Sequence, residues 1–246
     1  MQTSVPNTFV DNISRPAAYV AMSAAIAVLL LLAGLHVLSP QFDPSWRTVS
    51  EYAFGRYGWL LSLMFLAWGI SSWSLALALW TRVNTSAGKI GVWFLMIAGV
   101  GEAMASIFDV THPIGHGIAG FLGVFGFPVA ALLLSAALGR LPAWHDARKP
   151  LLWIANLCWV SVVLLIATLV LMTMQMPQAN GGHLPQHAPK SLPPGVLALD
   201  GWADRLLILL YCLWVFVAAW HVIRPRRENN PLPNAAGVRG HHRLAG

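Results

Sequence analysis

Five of the nine acidic side chains, together with two arginines and two histidines, lie in three short stretches of a chain that carries little charge. Only 10% of the 246 residues are charged and 57% are hydrophobic, whereas a soluble domain carries about a quarter charged residues. The three stretches are residues 42–52, 108–116 and 200–205. Because charges beside long apolar segments are costly to keep there, we expect these stretches to form a binding or reactive site.

Three side chains in these stretches have acid–base chemistry that fits catalysis: Glu51, Asp109 and His116. Glu51 or His116 is the candidate general base, since both side-chain types accept protons in enzyme active sites. Asp109, together with a histidine, would hold a water molecule or a metal ion. These three residues form the candidate catalytic set.

Two histidines, His112 and His116, are four residues apart. On a helix this spacing places two imidazoles on one face, as zinc sites require. Pro113 and Gly115 predict that no uninterrupted helix runs through this stretch. With Asp109, the two histidines are the candidate ligands of a divalent metal such as zinc; the alternatives are proton transfer and hydrogen bonding to a neighbour.

One arginine, Arg205, lies about one turn inside the last apolar segment, a place where basic residues are disfavoured. We expect it to face the interior of the bundle and to meet the carboxylate of Glu51 or Asp109. Such a pair would be either a structural latch or part of a ligand site. The acid beside it, Asp204, is also explained by the preference of acids for a helix N-terminus. The candidate ligand-binding residues are Arg47, Ser50, Glu102, Asp204 and Arg205.

A single glutamate, Glu102, interrupts the third apolar segment. Glu102, Ser106 and Asp109 recur at helical spacing, which predicts that they share one face directed into the bundle. Glu102 is then either a proton relay or a hydrogen-bonding strut, and we favour the strut.

The elements that must position these residues are apolar segments long enough to cross a bilayer, which needs roughly 20 residues. They cover residues 17–38, 58–80, 90–108, 118–139, 151–174 and 202–224. The predicted fold is all-α, a polytopic membrane protein built as a six-transmembrane-helix bundle. We expect one membrane domain at 17–224, a cytoplasmic N-terminus at 1–16 and a disordered basic cytoplasmic tail at 225–246.

The basic residues predict the orientation, because Lys and Arg are enriched in cytoplasmic loops. One side of the membrane receives Arg15, Arg82, Lys89, Arg140, Arg148, Lys149, Arg224, Arg226, Arg227, Arg239 and Arg243. The other side receives Arg47, Arg56, Lys190 and Arg205. Both termini are therefore predicted to be cytoplasmic and the three polar stretches extracytoplasmic, in a multi-pass protein of the inner cell membrane.

The net charge of +6 and the isoelectric point of about 9.9 do not indicate nucleic-acid binding. The basic residues flank apolar segments instead of alternating with stacking aromatics. The expected partners are membrane lipids, and a homo-oligomer is left open.

Small residues inside the segments predict packing. Gly117, Gly120, Gly123 and Gly126 would let the fourth helix approach a neighbour closely. Cys158 and Cys212 are expected to be small buried hydrophobes. The long fifth connection, residues 175–201, contains five prolines and is either a lid over the polar stretches or a tolerated insertion.

Several short motifs occur in a characteristic order. They are Phe42-Asp43-Pro44, Arg47-x-x-Ser50-Glu51, Asp109 with His112 after the third segment, and Asp204-Arg205 at the start of the last. In order and spacing the chain resembles the domain-of-unknown-function 998 (DUF998) family of six-helix prokaryotic membrane proteins. The resemblance extends from the first to the sixth segment and implies the fold and the membrane location. It implies no activity.

The chain departs from the family pattern at two places. Members often show Ser-Glu-Leu-Gly where this chain has residues 50–53, and Glu-Arg where it has Asp204-Arg205. The second change keeps the charge pattern, and the first keeps the Ser-Glu pair.

Three functions compete at this point. The first is binding or transport of a polar or lipid-headgroup ligand at Arg205, Glu51 and Asp109, with Glu102 coupling it to protons. The second is an intramembrane hydrolase, metal-dependent or not, that acts on a lipid or amide. The third is a structural membrane subunit in which the charges only fix the bundle.

Overall fold

A computed structural model describes residues 8–179 and 191–224 of the chain. The described residues form six long helices and contain no strand. The helices are α1 (Thr8–Leu38), α2 (Gly58–Trp80), α3 (Ser86–Ala105), α4 (Pro113–Leu138), α5 (His145–Ala179) and α6 (Asp200–Ile223). Short 3-10 turns at Val49–Phe54 and Pro142–Trp144 precede α2 and α5.

All six helices are long and apolar enough to cross a membrane, which confirms the predicted fold class. The predicted second segment, 58–80, matches α2 at both ends, whereas α1, α4 and α5 each begin at least five residues before the apolar segment predicted for them. Helix α3 begins at Ser86 because the Thr85 side chain caps it, accepting a hydrogen bond from the Gly88 N–H at 3.1 Å. A polar cap therefore sets the start of α3, and hydropathy alone does not detect it.

The helices form a closed ring in chain order. Each packs against the next, and α6 also packs against α1. Aromatic rings fill the centre: Phe127 stacks on Tyr211 with ring centroids 4.2 Å apart, and the buried Trp214 indole donates a hydrogen bond to Ser135 Oγ at 3.0 Å. This arrangement brings the start of α6 beside the end of α1.

Small residues hold α3 and α4 together. A Cβ added to Gly101 would lie 2.5 Å from the Gly123 nitrogen, and one added to Gly126 would lie 3.4 Å from the Ala98 Cβ. Gly117 and Gly120 instead face open space, with no atom within 4 Å of an added Cβ. The packing interpretation thus holds for two of the four glycines in α4.

One predicted helical face is wrong. Helix α3 ends at Ala105, and Ser106 is its C-cap, with a hydroxyl that donates to the Ala103 carbonyl at 2.6 Å. Asp109 therefore lies in the following turn and not on the face of Glu102. Glu102 itself points into the bundle, as expected, and is 4% exposed.

Both cysteines are free and buried, as predicted. The predicted disordered tail (225–246) and the part of the fifth connection at 180–190 lie outside the described residues. A role for that connection as a lid therefore stays a prediction.

Candidate functional site

The connection between α1 and α2 (residues 39–57) folds against the first turn of α6. The Val49 N–H donates to Asp204 Oδ2 at 2.7 Å, and the Trp202 N–H donates to the Ser45 carbonyl at 3.4 Å. A Cβ at Gly201 would collide with the Pro44 carbonyl oxygen, so only glycine permits this approach. We call residues 39–57, 106–112 and the first turn of α6 the polar end of the bundle.

An ion pair fixes the 3-10 turn at the polar end. Arg47 Nη1 lies 2.7 Å from Glu51 Oε1, while Glu51 Oε2 accepts the Thr48 N–H at 3.0 Å. The Arg47 guanidinium also stacks 4.2 Å above the Trp46 ring. Glu51 is thus engaged by its own turn, which leaves it poorly placed to serve as a general base.

The Arg205 side chain lies inside the bundle, 4% exposed, as predicted. Its Nη1 donates to the Arg47 and Gly201 carbonyls at 2.8 Å each, and its Nη2 donates to the Tyr52 hydroxyl at 3.2 Å. The expected carboxylate partner is wrong: in residues 8–179 and 191–224, no Asp or Glu forms an ion pair with Arg205. Glu51 is occupied by Arg47, and uncharged acceptors take its place.

Arg205 Nε donates a hydrogen bond to His36 Nε2 at 2.7 Å. The other ring nitrogen of His36 lies 2.6 Å from the Leu32 carbonyl, which can only accept, so Nδ1 carries the proton and Nε2 is the acceptor. The sequence analysis missed His36 and Tyr52. A usable signal was present, since His36 is an imidazole in the last turn of an otherwise apolar helix.

Asp109 and His112 lie apart from these groups, in an exposed turn. Asp109 Oδ1 accepts the Thr111 N–H at 2.9 Å and the Thr111 hydroxyl at 2.5 Å, and it lies 3.4 Å from His112 Nδ1. The hydroxyl of Thr111 is the main cause that lowers the pKa of Asp109 below its usual value. The His112 side chain is 62% exposed. The structure therefore does not bring Asp109 to Glu51 or Arg205.

His116 is the histidine that reaches into the polar end. Helix α4 starts at Pro113, a favourable first position for proline, so His116 sits on a helix, contrary to the expected interruption. His116 Nδ1 lies 2.9 Å from the Phe108 carbonyl, and Nε2 lies 3.1 Å from Ser50 Oγ. Ser50 and His116, from two of the three polar stretches, are thereby joined.

The predicted metal ligands do not come together in the described part of the chain. No three His, Cys, Asp or Glu side chains there lie close enough together to hold a metal ion. His116 directs its nitrogens at Phe108 and Ser50, whereas His112 faces Asp109 and Thr111. Of the proposed ligands, His112 and Asp109 thus face each other, whereas His116 has other partners.

A cavity of about 350 Å³ lies between α2, α3, α4, α5 and α6 and is closed at one end by the 3-10 turn. Its walls are mostly apolar or glycine. The polar groups on its lining are Thr48, Ser50, Glu102, His116 and Asp204, together with the indole of Trp68 and the phenol of Tyr211. Arg47, Glu51 and Arg205 are not on this lining.

Two lining residues carry a buried polar atom without a hydrogen-bond partner among the described residues. Glu102 Oε2 accepts the Ser72 hydroxyl at 2.6 Å, but Glu102 Oε1 has no partner there. Trp68 Nε1 likewise has none, and Trp68 is only 6% exposed. Ser72 is fourteen residues into α2, about 21 Å of helix rise from its first residue. Glu102 therefore lies far from the polar end.

The fold defines a multi-pass helical membrane protein, and between its helices lies a cavity with mostly apolar walls and a few polar residues. The sequence model of the DUF998 family, proteins of unknown function, matches residues 20–221. The chain therefore belongs to this family, as the order of its motifs indicated. No curated protein and no solved structure matches the chain.

Proposed function

We propose that this protein binds an amphipathic molecule in the cavity between α2 and α6. The supporting observation is the distribution of polarity: Ser50, His116 and Asp204 lie where the cavity meets the polar end, and its body is lined by apolar side chains. Apolar walls with a few placed polar groups are typical of small-molecule sites. The polar group of the ligand would face those three residues.

The residues on the lining favour an uncharged or cationic polar group. Glu102 and Asp204 carry carboxyl groups, and no Lys or Arg of residues 8–179 and 191–224 lines the cavity. An anionic headgroup would therefore find no lysine or arginine to pair with in that part of the chain. Arg205, one of the candidate ligand-binding residues, donates its hydrogen bonds to His36, to carbonyl groups and to Tyr52.

The hydrogen bonds of Arg47 and Arg205 thus support a structural role for these two arginines, and the cavity supports ligand binding. Both roles coexist, because the arginines hold the turn that closes one end of the cavity. Transport would require, in addition to binding, that the ligand leave the cavity on the other side of the membrane. Glu102, deep on the lining with a free oxygen, is the residue that would couple such movement to protons.

Filling the cavity tests the binding proposal. Gly120 lines the cavity and Gly117 does not, yet both stand in α4 with open space around them. We expect Gly120→Leu to reduce the amphipathic molecule that co-purifies with the protein by about tenfold, equivalent to about 1.4 kcal/mol of binding. Gly117→Leu is the matched control and should retain it.

The measurement is quantitative mass spectrometry of solvent extracts from both variants and the wild type, purified in the same mild detergent. Thermal unfolding of each variant reports whether the fold is intact. Equal ligand content in a folded Gly120→Leu variant, or wild-type protein without a stoichiometric amphipath, would contradict the proposal.

A further inference from the structure

A serine and a histidine stand together on the cavity lining where it meets the polar end. Ser50 Oγ and His116 Nε2 are 3.1 Å apart, and both residues line the cavity. A nucleophile and a base within hydrogen-bond reach, with the base oriented by a third group, is the arrangement that activates serine in covalent catalysis. Neither residue is fully buried, so a ligand in the cavity can reach them.

The third group is the backbone carbonyl of Phe108, 2.9 Å from His116 Nδ1. A carbonyl oxygen can only accept, so Nδ1 must carry a proton. In the neutral imidazole, Nε2 then has no proton and accepts the Ser50 hydroxyl. The tautomer is therefore the one that a general base requires, as when a carboxylate orients the histidine of a serine-protease triad.

Phe108 itself is held at two points. The Phe108 N–H donates to the Met104 carbonyl at 2.8 Å, which continues the last turn beyond α3. Its ring packs on Gly115, where an added Cβ would lie 2.7 Å from the ring. The end of α3 and the start of α4 thus position the residue whose carbonyl orients His116.

A carboxyl group also lies near His116. Asp204 lines the same cavity, is fixed by the Val49 N–H at 2.7 Å, and is within electrostatic range of His116. An ionised Asp204 would stabilise the imidazolium that forms when His116 takes a proton. The three polar stretches of the sequence contribute one residue each to this arrangement.

We propose that Ser50 is the nucleophile and His116 the general base of an esterase activity directed at an uncharged amphipathic ester in the cavity. This inference rests on the cavity being the ligand site. The apolar walls would take the acyl chain, and the ester carbonyl would lie beside Ser50.

The reaction is a two-step acyl transfer to water. Ser50 Oγ attacks the ester carbonyl carbon while its proton passes to His116 Nε2, which gives a tetrahedral intermediate. The intermediate collapses to an acyl-Ser50 as the C–O bond to the leaving alcohol breaks and His116 returns the proton to that oxygen. A water molecule, deprotonated by His116, then attacks the acyl carbon, so that the carboxylic acid is released and the Ser50 hydroxyl regenerated.

The experiment uses a long-chain alkyl fluorophosphonate, which bonds to an activated serine oxygen and releases fluoride. Full-length protein is labelled and the adduct located by peptide mass spectrometry. We expect the adduct on Ser50 in the wild type, none in Ser50→Ala, and about a 100-fold slower reaction in His116→Asn, because general-base assistance is typically worth at least that much. Ser45→Ala, which alters a hydroxyl bonded to Asp43 outside the cavity, should react like the wild type.

The same preparations are extracted for the co-purified molecule, which separates the two proposals. Protein that retains its amphipath but gives no Ser50 adduct, or a folded His116→Asn variant that is labelled at the wild-type rate, would overturn the esterase. If Ser50 is labelled equally fast in Gly120→Leu, Ser50 remains the nucleophile, but the proposal that the cavity holds the alkyl chain of the probe is overturned. Hydrolysis of a long-chain monoacyl ester by the wild type and not by Ser50→Ala is the expected turnover result.

Discussion

Arg205 is a charge buried among uncharged acceptors. Its guanidinium joins α1 through His36, the 39–57 connection through Arg47 and Tyr52, and α6 through Gly201. Burying a charge is tolerated when its donors are satisfied, and hydrogen bonds to a charged group are stronger than neutral ones. The fork geometry of arginine is what allows one side chain to reach three elements.

We therefore expect Arg205→Lys to destabilise the protein by about 2–4 kcal/mol, because the single ammonium group cannot reproduce the forked donors and hydrogen bonds to charged groups contribute about 1.5–3 kcal/mol each. Chemical unfolding in detergent, followed by tryptophan fluorescence, measures this. The matched control is Arg56→Lys at an exposed arginine beside Tyr57, where a change within about 0.5 kcal/mol is expected. Similar losses in both variants would show that Arg205 is not a structural latch.

At the scale of elements, the polar end depends on how closely the 39–57 connection approaches α6. That approach occurs at Gly201, where an added Cβ would also lie 2.7 Å from the Arg47 carbonyl oxygen. The same carbonyl accepts a hydrogen bond from Arg205. Any side chain at position 201 would therefore move the backbone that closes the cavity.

Gly201→Ala is expected to destabilise the bundle by about 1–3 kcal/mol, the usual range for overpacking. The contrast is Gly117→Ala, which adds the same methyl group where no atom lies within 4 Å and should be neutral or stabilising by up to about 1 kcal/mol through helix propensity. Thermal unfolding of both variants in one detergent gives the comparison. A Gly201→Ala protein as stable as Gly117→Ala would mean that the connection is not held tightly against α6.

At the scale of the whole molecule, six membrane-spanning helices form one ring in chain order. Because their number is even, the start of α1 and the end of α6 lie on the same side of the membrane. In the described part of the chain, Arg82 and Arg140 lie on the connections away from the polar end, and Lys89 and Arg148 lie in the first turns of α3 and α5 at the same end. By the preference of basic residues for the cytoplasm, we propose that the polar end is extracytoplasmic and both termini are cytoplasmic.

Cysteine accessibility tests this orientation. Gln41 and Asn84 are exposed residues in the connections at opposite ends of the bundle, and the native cysteines are buried. A membrane-impermeant maleimide should label Gln41→Cys in intact cells and label Asn84→Cys only after the membrane is permeabilised. The reverse pattern would invert the proposed topology.

Much of the architecture could be predicted from the sequence, because hydropathy acts locally along the chain. In a bilayer, a run of roughly 20 apolar residues must form a helix to satisfy its own backbone hydrogen bonds. The six helices could therefore be predicted from the six apolar runs. The cost of a charge in lipid likewise predicted that Glu102 and Arg205 face inward, and both are 4% exposed. The sequence by itself thus determined the number of helices, the burial of these two side chains and the family.

Only the tertiary structure decided which of these residues meet. Arg205 and His36 are 169 positions apart in sequence, and Ser50 and His116 are 66 apart. Such contacts depend on the order of helices in the ring, on the rotation of each helix and on the exact residue at which it ends. Spacing along one segment carries none of this information. The sequence therefore suggested a carboxylate partner for Arg205, whereas the packed bundle supplies the neutral imidazole of His36. It suggested a metal for His116, whereas the bundle supplies the hydroxyl of Ser50.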